Sequence, residues 1–204
     1  MELMDYVKTR FKPDVPIFLD ELIVNGVSRT YIRQRFAQCE KKGEIARYDN
    51  GIYYIPRQTM FGESRPFFDD VLSQKYISNE HEVYGFFTGL QFENKIGLSD
   101  QIPVMPEIVT NRESTRRRIV TLRNQNVILR KPVVYVTNDN VTILQFLDLF
   151  RTYPEYKVQE NIGLLKKYIS DNALSREMVQ QYLPKCSEAA KDKLIESGLI
   201  YEFI

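Results

Sequence analysis

Apolar residues in the first sixty positions recur at helical spacing between turn residues, and they predict three short helices followed by a hairpin. The first helix covers residues 2–11 and is closed by Pro13 and Pro16. The second covers 17–24. It ends at Asn25-Gly26, because both residues tolerate the left-handed backbone of a helix C-terminus.

The third predicted helix begins after Ser28, which is a good N-cap, and runs to about Lys42. On a helical wheel, Ile32, Phe36 and Cys39 form one buried stripe. The opposite face is polar or small and carries Thr30, Gln34, Ala37 and Lys41, with Arg33 beside it. Such a face is typical of a DNA recognition helix, since its side chains can pair with base edges and a small residue permits close approach.

Two β-rich runs, 44–48 and 52–56, flank Asp49-Asn50-Gly51, and this is the strongest short signal for a β-hairpin. A hairpin directly after a recognition helix is a wing. Residues 1–60 are therefore predicted to form a winged helix-turn-helix domain.

These positions predict a surface for double-stranded DNA. Its residues are Ser28, Arg29, Thr30, Tyr31, Arg33, Gln34, Arg35, Lys41, Arg47 and Arg57. Thr30, Arg33 and Gln34 are expected to contact base edges, whereas Arg29, Arg35 and Arg47 are expected to contact phosphates. A winged helix that serves only protein contacts is the open alternative.

The remaining residues, 61–204, are predicted to form a larger mixed domain, so the fold class is α+β. Apolar spacing predicts a helix within 61–75 and another over 82–96. Valine- and isoleucine-rich strands are expected at 104–110, 117–122, 126–130 and 133–137. Helices near 140–151, 155–170, 175–183 and 187–197 close the chain.

Composition narrows the class of protein. The chain of 204 residues holds 28 Lys+Arg against 27 Asp+Glu, with 43% hydrophobic residues, which excludes a disordered or disulfide-bonded scaffold. Cys39 and Cys186 lie far apart and His81 is the single histidine, so no metal site or cofactor is expected. Without a signal-peptide pattern or a long apolar run, a soluble protein of the cytoplasm is expected.

Basic residues are concentrated in two segments that an acidic stretch separates. In residues 110–131 the basic side chains are Arg112, Arg116, Arg117, Arg118, Arg123, Arg130 and Lys131, against the single acidic Glu113. Strand alternation predicts Arg116 and Arg118 on one face, with Arg117 and Arg123 on the other. This cluster indicates either a surface for nucleic acid or another polyanion, or a sheet edge protected by charge.

Catalysis is not expected from the motifs. The chain has no GxxxxGK[ST] phosphate loop and no GxGxxG turn. His81 lies in the acidic stretch 79–82 and is predicted to be a surface residue at a helix start. Asp69 and Asp70 are adjacent, so on a helix their side chains diverge by about 100° and do not suit a shared metal ion.

Several motifs follow one another along the chain. The generic ones lie in the predicted winged helix, at 27–36, 41–45 and 51–53. The more specific motifs are Gly85-Phe86-Phe87-Thr88-Gly89-Leu90, residues 94–103 and 108–111, the Arg116–Arg118 run, Val127-Ile128-Leu129-Arg130-Lys131-Pro132 and residues 144–149. In this order the motifs resemble those of the AbiEi-family antitoxins of bacterial abortive-infection, type IV toxin–antitoxin systems. The resemblance extends over nearly the whole chain.

This resemblance implies a protein with two roles, for which the arginine cluster of residues 110–131 is a candidate antitoxin or auxiliary nucleic-acid surface. The N-terminal domain would bind inverted repeats in the promoter of its own operon and repress transcription. The C-terminal domain would counteract a nucleotidyltransferase-like toxin without forming a stable complex with it. The competing interpretation is a plain winged-helix regulator whose C-terminal domain senses a ligand or forms oligomers. Either a monomer or a DNA-dependent oligomer is compatible with the sequence.

Overall fold

The computed structural model describes residues 3–203 and divides the chain into two compact units, Met1–Gln74 and Lys75–Ile204. Both helices and strands occur, which confirms the predicted α+β class. The division falls later than the 60/61 boundary predicted from the sequence, because the segment after residue 60 adds a short ribbon and most of a helix to the first unit.

The first unit places two helices with a small antiparallel sheet. Its elements are α1 (Leu3–Arg10), β1 (Ile17–Phe18), α2 (Arg29–Lys41), β2 (Ala46–Asp49), β3 (Ile52–Tyr54), β4 (Gln58–Thr59) and β5 (Gly62–Glu63). The sheet has the order β1-β3-β2, and β4 and β5 form a separate ribbon. Glu2, the first residue of the predicted helix 2–11, lies outside the described residues.

The predicted helix over 17–24 is wrong. Ile17 and Phe18 instead form β1 and pair with Tyr53 and Ile52. The backbone N–H of Leu19 continues this pairing by donating to the carbonyl of Gly51 at 2.9 Å. Ile17, Phe18 and Leu19 are all buried, and three consecutive buried side chains suit a strand enclosed on both faces better than one stripe of a helix.

The predicted helix after Ser28 is confirmed as α2. The Ser28 hydroxyl accepts a hydrogen bond from the backbone N–H of Tyr31 at 3.2 Å, and Gly43 follows the helix with a positive φ of 74°. Ile32, Phe36 and Cys39 are buried as the wheel predicted. The Phe36 ring packs edge-to-face on Tyr53, with centroids 5.3 Å apart, and this contact fixes α2 against β3.

The predicted hairpin is confirmed as β2 and β3. Ala46 and Arg47 pair with Tyr54 and Tyr53, and the register shifts between Arg47 and Asp49. Gly51 takes a positive φ of 71°, as a tight hairpin turn requires. The bulge adds local twist to the strand that carries Arg47.

The second unit is built on a four-stranded mixed sheet. Its elements are β6 (Gly85–Thr88), α4 (Leu90–Lys95), β7 (Glu107–Thr110), β8 (Arg117–Leu122), β9 (Gln125–Arg130), α5 (Val141–Thr152), α6 (Glu155–Glu160), α7 (Ile162–Asp171), α8 (Arg176–Tyr182) and α9 (Glu188–Glu196). α3 (Phe68–Tyr76) spans the division between the units. The strand order is β6-β7-β9-β8, and only the β7–β9 pair is parallel.

Two predicted elements of this unit are wrong. The helix predicted over 82–96 is instead β6 followed by α4. No strand forms over 133–137, because the backbone of Val136 bonds to a side chain: its N–H donates to Asn111 Oδ1 at 2.9 Å, and its carbonyl accepts from Asn111 Nδ2 at 2.8 Å. An amide side chain thus replaces the neighbouring strand.

Aromatic and aliphatic side chains from α5 form the centre of the second unit's core. Phe146 lies within ring-contact distance of Phe150, Tyr168 and Phe203, and all but Tyr168 are fully buried. Helices α7 and α9 contribute Leu165 and Leu194 to the same cluster. Of the helices that the structure describes, none has the length and apolarity to cross a bilayer.

A buried carboxylate organises the connection between β7 and β8. Glu113 Oε1 accepts from the N–H and the hydroxyl of Thr115 at 2.8 and 2.7 Å, and its Oε2 lies 2.5 Å from Arg118 Nε. Burial raises the pKa of Glu113, but the Thr115 hydrogen bonds and the Arg118 guanidinium outweigh it and hold the pKa below its ordinary value.

Replacing Glu113 by Gln should therefore destabilise the second unit at neutral pH, by about 1–3 kcal/mol. A lowered folded-state pKa contributes stability that is present above the unfolded-state value and is lost as pH falls through the folded one. The difference between wild type and E113Q should consequently shrink below about pH 4. Urea unfolding followed by circular dichroism at several pH values measures both effects.

The matched control is Glu188→Gln, since the Glu188 side chain is 82% exposed and, within residues 3–203, forms its one ion pair with Lys191. It should change stability by less than about 0.5 kcal/mol. An E113Q deficit that stays constant from pH 7 to pH 3 would contradict the assigned role of the carboxylate.

Gly85→Ala should destabilise the protein by about 1–3 kcal/mol or more. A Cβ at Gly85 would lie 2.3 Å from the carbonyl oxygen of Tyr76 and 2.6 Å from that of Val109, so β6 would have to move. Gly163→Ala is the matched control, because a Cβ there meets nothing within 4 Å on α7 and should stabilise the helix by about 0.5–1 kcal/mol. Thermal unfolding of both variants compares them, and equal melting temperatures would refute the close approach.

Candidate nucleic-acid interface and arginine-lined cavity

The outward face of α2 has the composition that the sequence predicted. Its exposed side chains are Thr30, Tyr31, Arg33, Gln34, Ala37 and Lys41, with Arg29 exposed at the first turn. They lie opposite the buried stripe that holds the helix to the sheet. The face combines amide, hydroxyl, guanidinium and ammonium donors on a rigid element, so it can contact both base edges and phosphates.

Several arginines of this unit already have partners. Arg33 Nη2 lies 3.3 Å from Asp20 Oδ1, and both side chains are largely exposed. Arg35 donates to Gln38 Oε1 at 3.1 Å on the same helix. The exposed pair of Arg33 with Asp20 contributes about 0–1 kcal/mol, so a phosphate or a base can displace Asp20 at little cost.

Arg47 extends from the hairpin and is exposed. Its Nε donates to the carbonyl of Asp49 at 3.4 Å, and its guanidinium also bonds to the side chain of Asn50. These contacts hold the arginine along the turn of the hairpin.

Arg57 lies after β3 and is tied to another part of the unit. Its Nε donates to Asp14 Oδ2 at 2.8 Å, and its terminal nitrogen bonds to the same carboxylate. Asp14 also accepts from the hydroxyl of Ser64. The guanidinium therefore fixes the chain that leaves the hairpin, and its predicted DNA contact stays a prediction. Similarly, the hydroxyl of Ser28 is occupied by its capping bond.

In the second unit, the arginine cluster separates into residues with structural contacts and residues at a cavity. Arg112 lies 3.9 Å from the centre of the Tyr84 ring and donates to the carbonyl of Lys75 at 2.8 Å. Arg118 pairs with Glu113. Arg123 occupies the β8–β9 turn with Asn124, and both have positive φ.

The predicted alternation of the arginines is wrong. β8 begins only at Arg117, so Arg116 lies before the strand and need not alternate with its neighbours. Arg116 and Arg117 both line one cavity, whereas Arg118 contacts Glu113. A break in regular strand geometry at residue 116 accounts for the difference.

One row of side chains crosses all four strands and forms one wall of that cavity. The register pairs Phe86 with Val109, Val109 with Arg130, and Arg130 with Arg117. Cross-strand partners share a face of the sheet, and all four residues line the cavity. The row is apolar at the β6 end and cationic at the β8 end.

The opposite wall comes from α5 and the start of α9. Leu144, Leu147, Asp148 and Arg151 share the spacing i, i+3, i+4 and i+7, which places them on one face of α5. Cys186, Ser187, Ala190 and the segment 131–134 complete the lining. The enclosed volume is about 570 Å³, within the range of small-molecule sites.

Two arginines and two carboxylates form an ion network at this wall. Arg130 Nε lies 2.5 Å from Glu107 Oε1, and its other nitrogen contacts Asp148. Arg151 lies 3.0 Å from Glu107 Oε1 and 3.6 Å from Asp148 Oδ1. Asp148 also accepts from the Thr88 hydroxyl at 2.5 Å. The two positive and two negative charges cancel.

Sequence reasoning missed Glu107, Asp148 and Arg151 as parts of a site. The available signal was Asp148 and Arg151, the two charged residues of α5, which stand three residues apart on the face of the helix that packs inward. Charged residues on a buried face of a helix indicate that residues of opposite charge pack against them in the folded chain. The partner strands could not be identified without the β7–β9 pairing.

The remaining candidates for chemistry do not form a site together. His81 is exposed in a turn between residues 79 and 82, and the predicted helix start there is wrong. Asp69 and Asp70 are exposed in the first turn of α3. Cys186 lines the cavity, and burial raises the pKa of its thiol to about 11, with Asp148 contributing, so the thiol is protonated at neutral pH.

No protein-family model matches the sequence, and no curated protein matches it significantly.

Proposed function

We propose that the first unit is a winged helix-turn-helix that binds double-stranded DNA. The observation that carries this proposal is α2, a capped helix of 13 residues with a polar outward face, followed directly by an antiparallel hairpin. α2 is about 20 Å long, and a helix of ordinary width fits the major groove of B-DNA. The hairpin then supplies the wing.

Residues 19–27 take the place of the helix that normally precedes a recognition helix. They form turns, with Leu22 N–H bonded to the Phe18 carbonyl at 3.0 Å and Val27 N–H bonded to that of Val24 at 3.1 Å. Leu22 is buried in the core, so the segment is anchored against α2. This supports a shortened form of the motif with the recognition helix still held in place.

Within this proposal, Thr30, Arg33 and Gln34 contact bases, and Ala37 permits close approach. Arg29, Arg35 and Arg47 contact phosphates. The target is the inverted repeat in the promoter of the chain's own operon, where binding represses transcription. A monomer on each repeat or a DNA-dependent oligomer both satisfy the geometry.

Two classes of variant should behave differently on DNA. Arg29→Ala and Arg47→Ala should weaken binding to any sequence and lower the slope of log K against log salt by about one each. Gln34→Ala and Arg33→Ala should instead relax discrimination between operator and random DNA, by about 1–3 kcal/mol. Fluorescence anisotropy with a fragment from upstream of the gene, at several salt concentrations, measures both quantities.

The matched control is Lys166→Ala, which removes one positive charge from α7 in the second unit and should leave both quantities unchanged. If the two classes of variant change affinity and salt slope alike, α2 is not the recognition helix. If the wild type fails to prefer operator over random DNA, the chain is not a repressor of this promoter.

We further propose that the second unit counteracts a nucleotidyltransferase-like toxin without a stable complex. The resemblance of residues 85–90, 94–103 and 127–132 to AbiEi-family antitoxins supports this role. A packed core around α5 is consistent with it, since antitoxins that wrap a toxin often use a disordered segment instead. Arg116 and Arg117 are the exposed candidates for the antagonist surface.

A rescue assay separates the two roles in the full chain. The variant Arg29→Ala/Gln34→Ala should still protect cells that express the toxin, but should no longer repress the promoter. The variant Arg116→Ala/Arg117→Ala should repress normally and lose protection. Arg118 is left intact because its removal would strand the buried Glu113 carboxylate.

Colony counts under toxin induction and a promoter reporter supply the two readouts, with protein levels compared by immunoblot. Failure of the unaltered chain to protect would overturn the antitoxin role and leave a plain winged-helix regulator. Loss of both activities in either variant would indicate that the two roles share one surface.

A further inference from the structure

We propose that the cavity of the second unit binds a small phosphorylated molecule that carries an apolar or aromatic group, of about the size of a nucleotide. The cavity belongs to the second unit, whereas α2 and the DNA surface belong to the first, so this proposal does not depend on DNA binding. The cavity shares Arg116 and Arg117 with the antagonist surface proposed above, but ligand binding is measured in the absence of any toxin. Its two walls are chemically different, and each selects for one part of such a ligand.

The apolar part of the ligand is indicated by the inner lining. Phe86 and Val109 from the sheet face Leu144 and Leu147 from α5, and Val134 packs beside them. Phe86, Val109, Leu144 and Leu147 are largely buried from solvent. A cavity of about 570 Å³ with such a lining gains free energy by taking up an apolar group of matching size.

The anionic part is indicated by charges that the protein leaves uncompensated. Arg130 and Arg151 are neutralised by Glu107 and Asp148. The other cationic lining residues are Arg116, Arg117 and Lys131, which are exposed and have no ion-pair partner within residues 3–203. Three positive charges therefore lie at the mouth of an apolar cavity without a counter-charge.

The network behind these residues adds an unmet hydrogen-bonding group. Arg151 Nε is buried and has no hydrogen-bond partner in the described part of the chain, and Asp148 Oδ1 lies 3.6 Å from it, beyond hydrogen-bond distance. A buried guanidinium nitrogen without an acceptor is unfavourable, and a ligand oxygen entering from the cavity could supply one.

A phosphate fits this arrangement better than a single carboxylate. One arginine suffices for a carboxylate, which carries one charge, whereas three neighbouring cations match the charge of a diphosphate or triphosphate. Arginine guanidinium groups bind phosphate oxygens bidentately, and lysine adds a point charge. The apolar inner wall has no role in binding inorganic phosphate, so a ligand with both an anionic and an apolar part is needed to explain the site.

ATP is the first probe, because it combines a triphosphate with a planar ring. Isothermal titration of the full chain with ATP, adenosine and tripolyphosphate separates the contributions. We expect ATP to bind, with adenosine and tripolyphosphate each at least about tenfold weaker, since each lacks one of the two recognised parts. GTP, CTP and UTP then show which ring is preferred.

Variants place the binding in this cavity. Arg117→Ala/Lys131→Ala should weaken ATP binding about tenfold or more, whereas Lys167→Ala on α7, exposed and away from the lining, should not. Val133→Glu adds a negative charge to the lining at a side chain that is already exposed. It should weaken binding without unfolding the chain, and Val104→Glu, at a valine 96% exposed outside the lining, is its matched control.

The two cysteines give an independent readout. Cys186 lines the cavity, and Cys39 is buried in the first unit. ATP should slow the reaction of Cys186 with a thiol reagent at mildly alkaline pH. The ATP-sensitive part of the reaction should be absent from Cys186→Ser. Protection that matches the titrated affinity locates the ligand beside α9.

Three results would overturn the proposal. These are no binding of any of the four nucleoside triphosphates at millimolar concentration, equal affinity for tripolyphosphate and ATP, or unchanged ATP affinity in R117A/K131A and V133E. The second result would show a surface for polyanions rather than a cavity for a two-part ligand. DNA binding by α2 is measured separately, so its failure and the failure of this proposal are distinguishable.

Discussion

The pairing of Arg130 with Glu107 and Asp148 is the interaction on which the second unit depends. Only 13% of the Arg130 side chain is exposed, and a charge that is largely buried is tolerated only with close, well-aligned partners. Its partners come from β7 and α5, so one guanidinium joins the middle of the sheet to the helix packed on it. Removing one partner of such a group costs about 3–5 kcal/mol of folding free energy. The network therefore requires β7, β9 and α5 to keep the positions that bring its charges together.

The same constraint accounts for the uneven chemistry of the cavity. Because the network is neutral, it leaves the apolar inner wall undisturbed and confines uncompensated charge to Arg116, Arg117 and Lys131.

In the first unit, the contact that fixes the structure is between apolar rings rather than charges. Phe36 packs against Tyr53 and holds α2 to β3, and Thr30, Arg33, Gln34 and Lys41 are thereby exposed on the opposite side of the helix.

Local signals predicted the elements that local interactions determine. The Ser28 cap, the buried stripe of α2, the Asn-Gly hairpin and the strand over 117–122 all follow from residues that are neighbours in sequence. The errors arose where distant partners decide the structure. Residues 17–18 and 85–88 form strands because each segment pairs with a strand that is distant in sequence. Residues 133–137 form no strand because the Asn111 side chain makes hydrogen bonds to the backbone of Val136 in place of a neighbouring strand.

Candidate site residues followed the same division. The outward face of α2 could be predicted from helical periodicity alone, since one helix contains it. The cavity joins β6, β7, β9, β8 and α5, so its lining depends on a strand order that periodicity does not encode. The density of arginines predicted a charged surface near residues 116–130. It did not distinguish Arg118, which pairs with Glu113 in the β7–β8 connection, from Arg117, which lines the cavity.

The strand order also has a consequence for how the second unit folds. The chain passes from β7 to the edge strand β8 and then returns, so β9 lies between two strands that precede it. A two-residue turn at Arg123-Asn124 lets β8 and β9 form a hairpin on the microsecond timescale, because the loop to be closed is short. We expect docking of this hairpin onto β7 to follow as one step. It brings Arg130 next to Glu107, so burial of the charge and completion of the sheet occur together.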